Sequence, residues 1–317
     1  MKKVFITHKL PGSPDKYLKQ KGFKVLLHRG EDPIPHDQLI RKCKNVDAVL
    51  SLLTDKIDRE VIESFNNCKV IANCAVGYNN INVEYAKSKN IIVTNTPDIL
   101  TDATADLTVG LIMACARRFY EGEKMVRGKK FFGWKPDLLL GIELKEKTVG
   151  IIGAGRIGFA AAKRIKAFGT NIIYFDRSRR PVFENELTAK KVSLTKLLKT
   201  ADIISVHLPL NKKTFHFLNR NNLINLKPAA IIVNTSRGEV IEEKFLISLL
   251  KKKRIFSAGF DVYEGEPKIN PELFKLKNVV LLPHLGSATI ETRTAMAMLA
   301  ANNIAAVLNG YPPITPV

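Results

Sequence analysis

Thr148-Val-Gly-Ile-Ile-Gly153-Ala-Gly155-Arg156-Ile157-Gly158, with Asp176 closing the apolar run downstream, decides how this chain is read. Val149-Gly-Ile-Ile152 is a run of buried-strand type, Ala160 to Phe168 continues as a helix, and Asn171-Ile-Ile-Tyr-Phe175 is the next strand. In such a unit Gly153 lets the chain turn sharply and Gly155 lets backbone approach a pyrophosphate. Gly158 lets the helix pack close to its strand. The N–H groups at the start of that helix, around Arg156 and Ile157, offer unpaired donors and a positive dipole end to the phosphates. Asp176 lies eighteen residues beyond Gly158, close to the spacing of about twenty at which an acid meets the ribose. A glycine pattern alone is common by chance. Strand, turn, helix, second strand and acid together mark a dinucleotide-binding unit.

Short β-branched runs alternate with helical patterns along the whole chain, the signature of parallel sheets with crossover helices. A first series of strands is predicted at Val4–Thr7, Lys24–Leu27, Ala48–Ser51, Val70–Ala72 and Ile91–Val93. A second is predicted at Val149–Ile152, Asn171–Tyr174, Ile203–Val206, Ala230–Val233, Ser257–Phe260 and Val279–Leu282. The glycine turn follows the first strand of the second series, so it opens a second domain rather than the chain. Long helical patterns at Thr101–Arg118 and Ala288–Asn309 separate the blocks, and the later one can return the C-terminus to the first domain. The expected architecture is α/β, with two doubly wound parallel-sheet domains. A flavodoxin-like, discontinuous substrate domain would cover 1–98 and 287–317, and a Rossmann cofactor domain 99–286, with a pocket between them.

At 317 residues the chain is long enough for two cores, and its 45 % hydrophobic and 25 % charged content is ordinary for a globular protein. The formal net charge of +20 is not ordinary. Basic residues are spread in short runs such as Lys2-Lys3 and Lys251-Lys-Lys-Arg254, no aromatics alternate with them, and no nucleic-acid-binding motif is present. A solvated, lysine-rich surface that draws in small anions is therefore read in preference to nucleic-acid binding. No apolar run approaches the roughly 20 residues of a membrane span. The N-terminus has no apolar leader with a cleavage site, so the cytoplasm is the expected location. Cys43, Cys68, Cys74 and Cys115 have neither CxxC nor zinc spacing, so no metal site is expected and the thiols read as reduced and structural.

In open parallel sheets, the carboxyl ends of the strands face the nucleotide crevice. His207 and Pro209 follow one strand here, Thr235 and Arg237 the next, then Asp261, Glu264 and Glu266, and finally His284 and Gly286. An arginine, an acid and a histidine thus share one edge of one sheet. Hydride transfer to a 2-keto acid needs a cation for the carboxylate and a proton donor for the carbonyl oxygen. It also needs a partner that holds that donor charged.

The chain also carries Ala75-Val-Gly-Tyr-Asn-Asn-Ile81, Thr104-Ala-Asp-Leu-Thr108, Asn234-Thr-Ser-Arg-Gly238, Asp261-Val-Tyr-Glu-Gly-Glu-Pro267 and Pro283-His-Leu-Gly-Ser-Ala288. With this ordered set it resembles the D-isomer-specific 2-hydroxyacid dehydrogenase family over nearly its whole length, most closely the glyoxylate/hydroxypyruvate reductase members. The resemblance implies NAD(P)H-dependent reduction of a small anionic 2-keto acid, glyoxylate to glycolate or hydroxypyruvate to D-glycerate. It places the family's catalytic arginine, glutamate and histidine on Arg237, Glu266 and His284. Arg237 would bind the carboxylate and polarise the carbonyl. His284 would be the general acid in reduction and the base in oxidation. Glu266, the acid before Pro267, would hold its ring and favour imidazolium, with Glu264 as a decoy.

The same resemblance makes Ala75-Val76-Gly77 a loop whose N–H groups bind the carboxylate, Gly77 permitting close approach or positive φ. Val76 stands where related phosphite dehydrogenases carry lysine, which argues against phosphite. Leu52, with Leu53, would wall a small apolar pocket. Thr104, Arg177, His207, Pro209, Thr235, Asp261 and Gly286 complete the expected cofactor contacts. Asp176 favours NAD, while Arg177, Arg179 and Arg180 keep NADP open. Trp134, the only tryptophan, lies in an arm of large apolar residues that suggests a homodimer. It would either reach the partner subunit's site or serve as a core or interface residue. Two other readings stand beside this one: D-3-phosphoglycerate dehydrogenase, whose substrate would suit the positive charge, and a dinucleotide-sensing binding protein.

Overall fold

A computed structural model describes all 317 residues and divides them into two units, Met1–Leu100 with Ser287–Val317, and Thr101–Gly286. In the first unit, β1 (Lys3–Ile6), β2 (Lys24–Leu27), β3 (Ala48–Ser51), β4 (Val70–Asn73) and β5 (Ile92–Thr94) form one parallel sheet in the order β2-β1-β3-β4-β5. That is the flavodoxin-like winding. Alternate residues of each strand enter different cores. Val4, Ile6, Leu50 and Val70 face one side, and Phe5, Val49, Ile71 and Val93 face the other. The C-terminal helix Ile290–Leu308 covers the first side with Met296, Ala297, Ala300, Ala301 and Ile304, a stripe at helical spacing. The pattern in the sequence starts this helix at Ala288. It starts at Ile290 because Thr289 caps it, Oγ1 accepting from the Thr292 N–H at 3.1 Å.

In the second unit, β6 (Thr148–Ile152), β7 (Asn171–Phe175), β8 (Lys190–Lys191), β9 (Ile203–Val206), β10 (Ile231–Asn234), β11 (Ser257–Phe260) and β12 (Val279–Leu281) are all parallel. Their order is β12-β11-β10-β9-β6-β7-β8. The winding runs outward from β6 in one direction and from β9 in the other, so the strand order reverses between them. In such sheets this is where ligands bind. Every residue of β9, β10 and β11 is buried, as covering helices on both faces require. A Cβ on Gly259 would lie 2.6 Å from the Leu111 side chain, so this glycine admits the helix Thr101–Ala116 against the sheet. That helix ends at Ala116 rather than Arg118, since Arg118 adopts φ +54° and a second helix, Phe119–Arg127, follows.

The four cysteines are free and buried. No helix is long and apolar enough to cross a membrane, and no group of three or more His, Cys, Asp or Glu side chains could hold a metal ion.

Candidate active site

The reversal point carries the glycine turn. Gly153 adopts φ +94°, and a Cβ there would lie 2.6 Å from the His207 carbonyl oxygen. Gly158 is equally constrained, since a Cβ would meet the Gly153 carbonyl oxygen at 2.3 Å. Gly155 differs: it caps the helix Arg156–Lys166, and a Cβ would meet no protein atom within 4 Å. The fold itself does not demand this glycine, whereas a phosphate lying over the helix start would. Asp176, just past β7, accepts the Ala154 N–H at 3.0 Å and the Ser178 N–H at 3.2 Å. Arg180 approaches the same carboxylate at 3.3 Å. Asp176, Arg177, Arg179, Lys191 and Ser193 line one cavity. These features suit a dinucleotide with its pyrophosphate on the turn and its adenosine ribose toward Asp176.

The remaining strand ends bring three reactive side chains into neighbouring loops. After β10, Asn234 organises the turn: its Oδ1 accepts from Ser236 N–H and Oγ, and its Nδ2 donates to the Arg237 carbonyl at 2.8 Å. Burial pulls the Arg237 pKa down, opposed by the carboxylates of Glu266 and Glu239. Gly238 follows, and a Cβ there would lie 1.9 Å from the carbonyl carbon of Tyr263. The loop after β11 therefore lies backbone-to-backbone against the loop after β10. On it, Glu266 accepts the Tyr263 N–H at 2.7 Å and the His284 Nδ1–H at 2.9 Å. Burial pushes the Glu266 carboxyl up, but the hydrogen bond and charge of His284, with the Tyr263 N–H and Arg237, outweigh it, so its pKa lies below the usual carboxylate range.

His284 adopts φ +55°, a region non-glycine residues rarely occupy. Asp261 holds it there. Its carbonyl accepts the His284 N–H at 3.0 Å, and its carboxylate accepts the Leu285 and Gly286 N–H groups at 2.6 and 2.8 Å. Thr104 Oγ1 donates to the Gly286 carbonyl, and Thr108 and Thr235 join hydroxyls at 2.9 Å. Asp261 is fully buried, and both its carboxylate oxygens are engaged within the protein. His207 pairs with Ser205 at 2.8 Å, and burial pushes its imidazole down to about 4, so it is neutral near pH 7. Thr108, Asn234 and Tyr263 are contributors that strand-end reasoning passed over. They act through backbone and neighbouring side chains, and only strand-end asparagine gives a signal in sequence.

In the first unit, the carbonyls of Val76 and Gly77 are held by Asn95 and Asn73 at 2.8 and 2.9 Å. The N–H groups of Val76 and Gly77 have no acceptor within the chain, as a nest for an anion requires. Asn80 donates to the Leu52 carbonyl and Asp55 accepts the Leu52 N–H, which fixes the turn carrying Leu52. Cys74, beside this loop, is buried, and its thiol is pushed up to about 12 by burial, so it is not a nucleophile. In the second unit, Trp134 is 81 % exposed and Phe132 89 %, so neither belongs to a core of its own chain. Pro209 is exposed at the carboxyl end of β9.

A dinucleotide turn at a sheet's reversal point, followed on successive strand ends by an arginine and a carboxylate-held histidine, defines a nicotinamide-dependent oxidoreductase. The family described as D-isomer specific 2-hydroxyacid dehydrogenase, NAD binding domain, matches residues 109–286. A glyoxylate reductase of Thermococcus litoralis is 48 % identical over 315 residues, covering 98 % of this chain and 95 % of the relative. Among solved structures, a protein of Thermus thermophilus superposes with TM-score 0.94 at 40 % identity, over 99 % of each chain. An NADPH-dependent glyoxylate/hydroxypyruvate reductase of Sinorhizobium meliloti, in complex with NADP and malonate, gives TM-score 0.85 at 29 % identity, over 100 % of this chain and 96 % of that one. The chain belongs to the D-isomer specific 2-hydroxyacid dehydrogenase family and is an NAD(P)-dependent oxidoreductase.

Proposed function

We propose that the enzyme reduces glyoxylate to glycolate and hydroxypyruvate to D-glycerate, with Arg237, Glu266 and His284 as its catalytic residues. The observation that carries this reading is the 2.9 Å pairing of His284 Nδ1 with Glu266, which stand two strand ends and one strand end from Arg237 respectively. The names of the chain's relatives point the same way. When bound, NAD(P)H supplies the hydride to the carbonyl carbon. Arg237 grips the substrate carboxylate and draws charge toward the carbonyl oxygen. Because Nδ1–H is committed to Glu266, His284 presents Nε2–H and donates that proton as the oxygen becomes an alkoxide. Glu266 keeps the ring oriented through Nδ1, and in oxidation the proton returns to Nε2.

Thr104, Gly153, Gly155, Arg156, Ile157, Gly158, His207, Pro209, Thr235, Asp261 and Gly286 are assigned to the cofactor, Asp261 also supporting the His284 loop. Asp176 faces the ribose and tilts preference to NAD, while Arg177 and Arg180 leave room for a 2′-phosphate. The free N–H groups of Val76 and Gly77 form the carboxylate nest of the substrate domain, 1–100 with 287–317, beside the Leu52 wall. The exposed apolar arm carrying Phe131, Phe132 and Trp134 is assigned to a homodimer interface. Four buried, free thiols suit a reducing cytoplasm.

Initial rates with glyoxylate, hydroxypyruvate and 3-phosphohydroxypyruvate, each with NADH and with NADPH, test the assignment. Turnover of the first two supports it. Preference for the phosphorylated substrate transfers the enzyme to D-3-phosphoglycerate dehydrogenase chemistry, and tight NADH binding without turnover makes it a dinucleotide sensor.

A further inference from the structure

The loop after β11 carries two acids two residues apart, and each holds a different histidine. Glu266 takes His284. Glu264 takes His216, Nε2 to Oε1 at 2.9 Å, with both side chains about a third exposed. His216 lies on the turn after β9, far in sequence from either loop. It adopts φ +46°, and its ring stacks on Phe215 with centroids 4.1 Å apart.

Its backbone is tied to the loop that carries Arg237. The His216 N–H donates to the Glu239 carbonyl at 2.7 Å and the Leu218 N–H to the Val240 carbonyl at 3.0 Å. The Glu242 N–H returns to the Leu218 carbonyl at 2.8 Å, making a short ladder immediately after Arg237 and Gly238. The side chain of His216 is meanwhile tied to the loop that carries Glu266. From below, the buried Glu243 accepts the Glu264 N–H at 3.2 Å. One residue thus bridges the Arg237 loop through its backbone and the Glu266 loop through its ring, at the seam where Gly238 and Tyr263 touch.

We propose that His216 and Glu264 are positioning residues: they clamp the loop of Arg237 against the loop of Glu266, so that carboxylate grip and proton donor stay in register. Neither touches the reacting atoms. The inference rests on the proposed roles of Arg237, Glu266 and His284. Releasing the clamp leaves the glycine turn untouched but lets the two loops slide, and misplacement of about 1 Å in a catalytic group costs up to about 100-fold in rate.

The test uses the full-length enzyme with hydroxypyruvate and NADH. His216→Asn is the first variant, because asparagine tolerates positive φ but is too short to reach Glu264. His216→Gln, which can still donate to Glu264, is the rescue, and Glu264→Ala breaks the pair from the other side. Expected are an about tenfold fall in kcat for His216→Asn and for Glu264→Ala, an unchanged NADH dissociation constant, and recovery to within about threefold in His216→Gln. The double variant should be no worse than the worse single, since partners in one interaction are not additive. If Glu264→Ala does not fold, Glu264→Leu, which keeps the bulk but cannot accept from His216, against His216→Asn completes the same cycle. Single variants with wild-type kcat, or independent losses that multiply in the double variant, overturn the proposal. Absence of wild-type turnover with either glyoxylate or hydroxypyruvate, and with either NADH or NADPH, would instead overturn the functional reading itself.

Discussion

Gly238→Ala is the sharpest perturbation of this site, because it adds one carbon at a known place. Gly238 opens the short turn Gly238–Val240 without positive φ, so alanine can adopt its backbone conformation. The whole effect is contact. The new Cβ would lie 1.9 Å from Tyr263 C, 2.1 Å from its oxygen and 2.3 Å from Glu264 N, all backbone atoms that cannot rotate away. Carbon atoms rest at about 3.5–4.0 Å, so the loop from Tyr263 to Glu266 must retreat by roughly 1.5 Å. Glu266 holds His284 at 2.9 Å, and hydrogen bonds of this type survive only to about 3.2 Å. The retreat therefore breaks the pair or drags His284 out of place. An overpacked seam costs about 1–3 kcal/mol of stability, and misplaced proton transfer costs about 100-fold in kcat. Steady-state rates with hydroxypyruvate, NADH titration by cofactor fluorescence and a thermal melt separate the effects. Lower kcat, a lower melting temperature and unchanged NADH affinity are expected. A kcat within threefold of wild type with an unchanged melt would refute the reasoning.

Three further outcomes follow from the same geometry. His284→Gln should bind NADH normally but lose about 10²–10⁴ in kcat, the usual worth of a positioned general acid; near-normal turnover would remove His284 from the mechanism. Asp176→Ala should raise the ratio of NADPH to NADH efficiency, since Arg180 would be freed from its carboxylate partner; an unchanged ratio would place discrimination elsewhere. The pH dependence of stability carries a definite sign. The Glu266 pKa lies lower in the folded chain than its ordinary value, so the unfolded chain binds more protons in that range. The stability this group contributes is complete above the ordinary carboxylate range and lost as pH falls through the lower folded value. Denaturant midpoints of wild type should therefore drop more steeply below about pH 5 than those of Glu266→Gln; parallel profiles would contradict the shift.

What was legible in the sequence is what burial makes periodic or turns make obligatory. Runs such as Ile203–Val206 and Ile231–Asn234 are covered on both faces, so apolar side chains stand at nearly every position. The edge strand Lys190–Lys191 carries no such mark: both lysines are exposed and only backbone pairs them to β7. Glycines split in the same way. Gly153 and Gly158 are demanded by the fold's own backbone and Gly155 is not, yet all three sit in one motif and look alike until the space around them is seen.

The site was legible as an inventory of strand ends, because parallel winding sends every carboxyl end to one edge. Which partner each side chain takes was not legible, since the partners lie far apart in the chain. Glu264 and Glu266 are chemically identical and two residues apart, but the first meets a histidine 48 residues upstream and the second one 18 residues downstream. Only the packing of the loops decides between them. Asp261 stands at a strand end, where the sequence points it at the cofactor, and both its carboxylate oxygens also hold the backbone after His284. A buried carboxylate with two N–H donors in reach pairs with them, because leaving those donors unpaired is costly. The inward-facing polar residues of this edge therefore build the geometry that the outward-facing ones use. Substitution at Asp261 should accordingly be felt at His284 before it is felt at the cofactor.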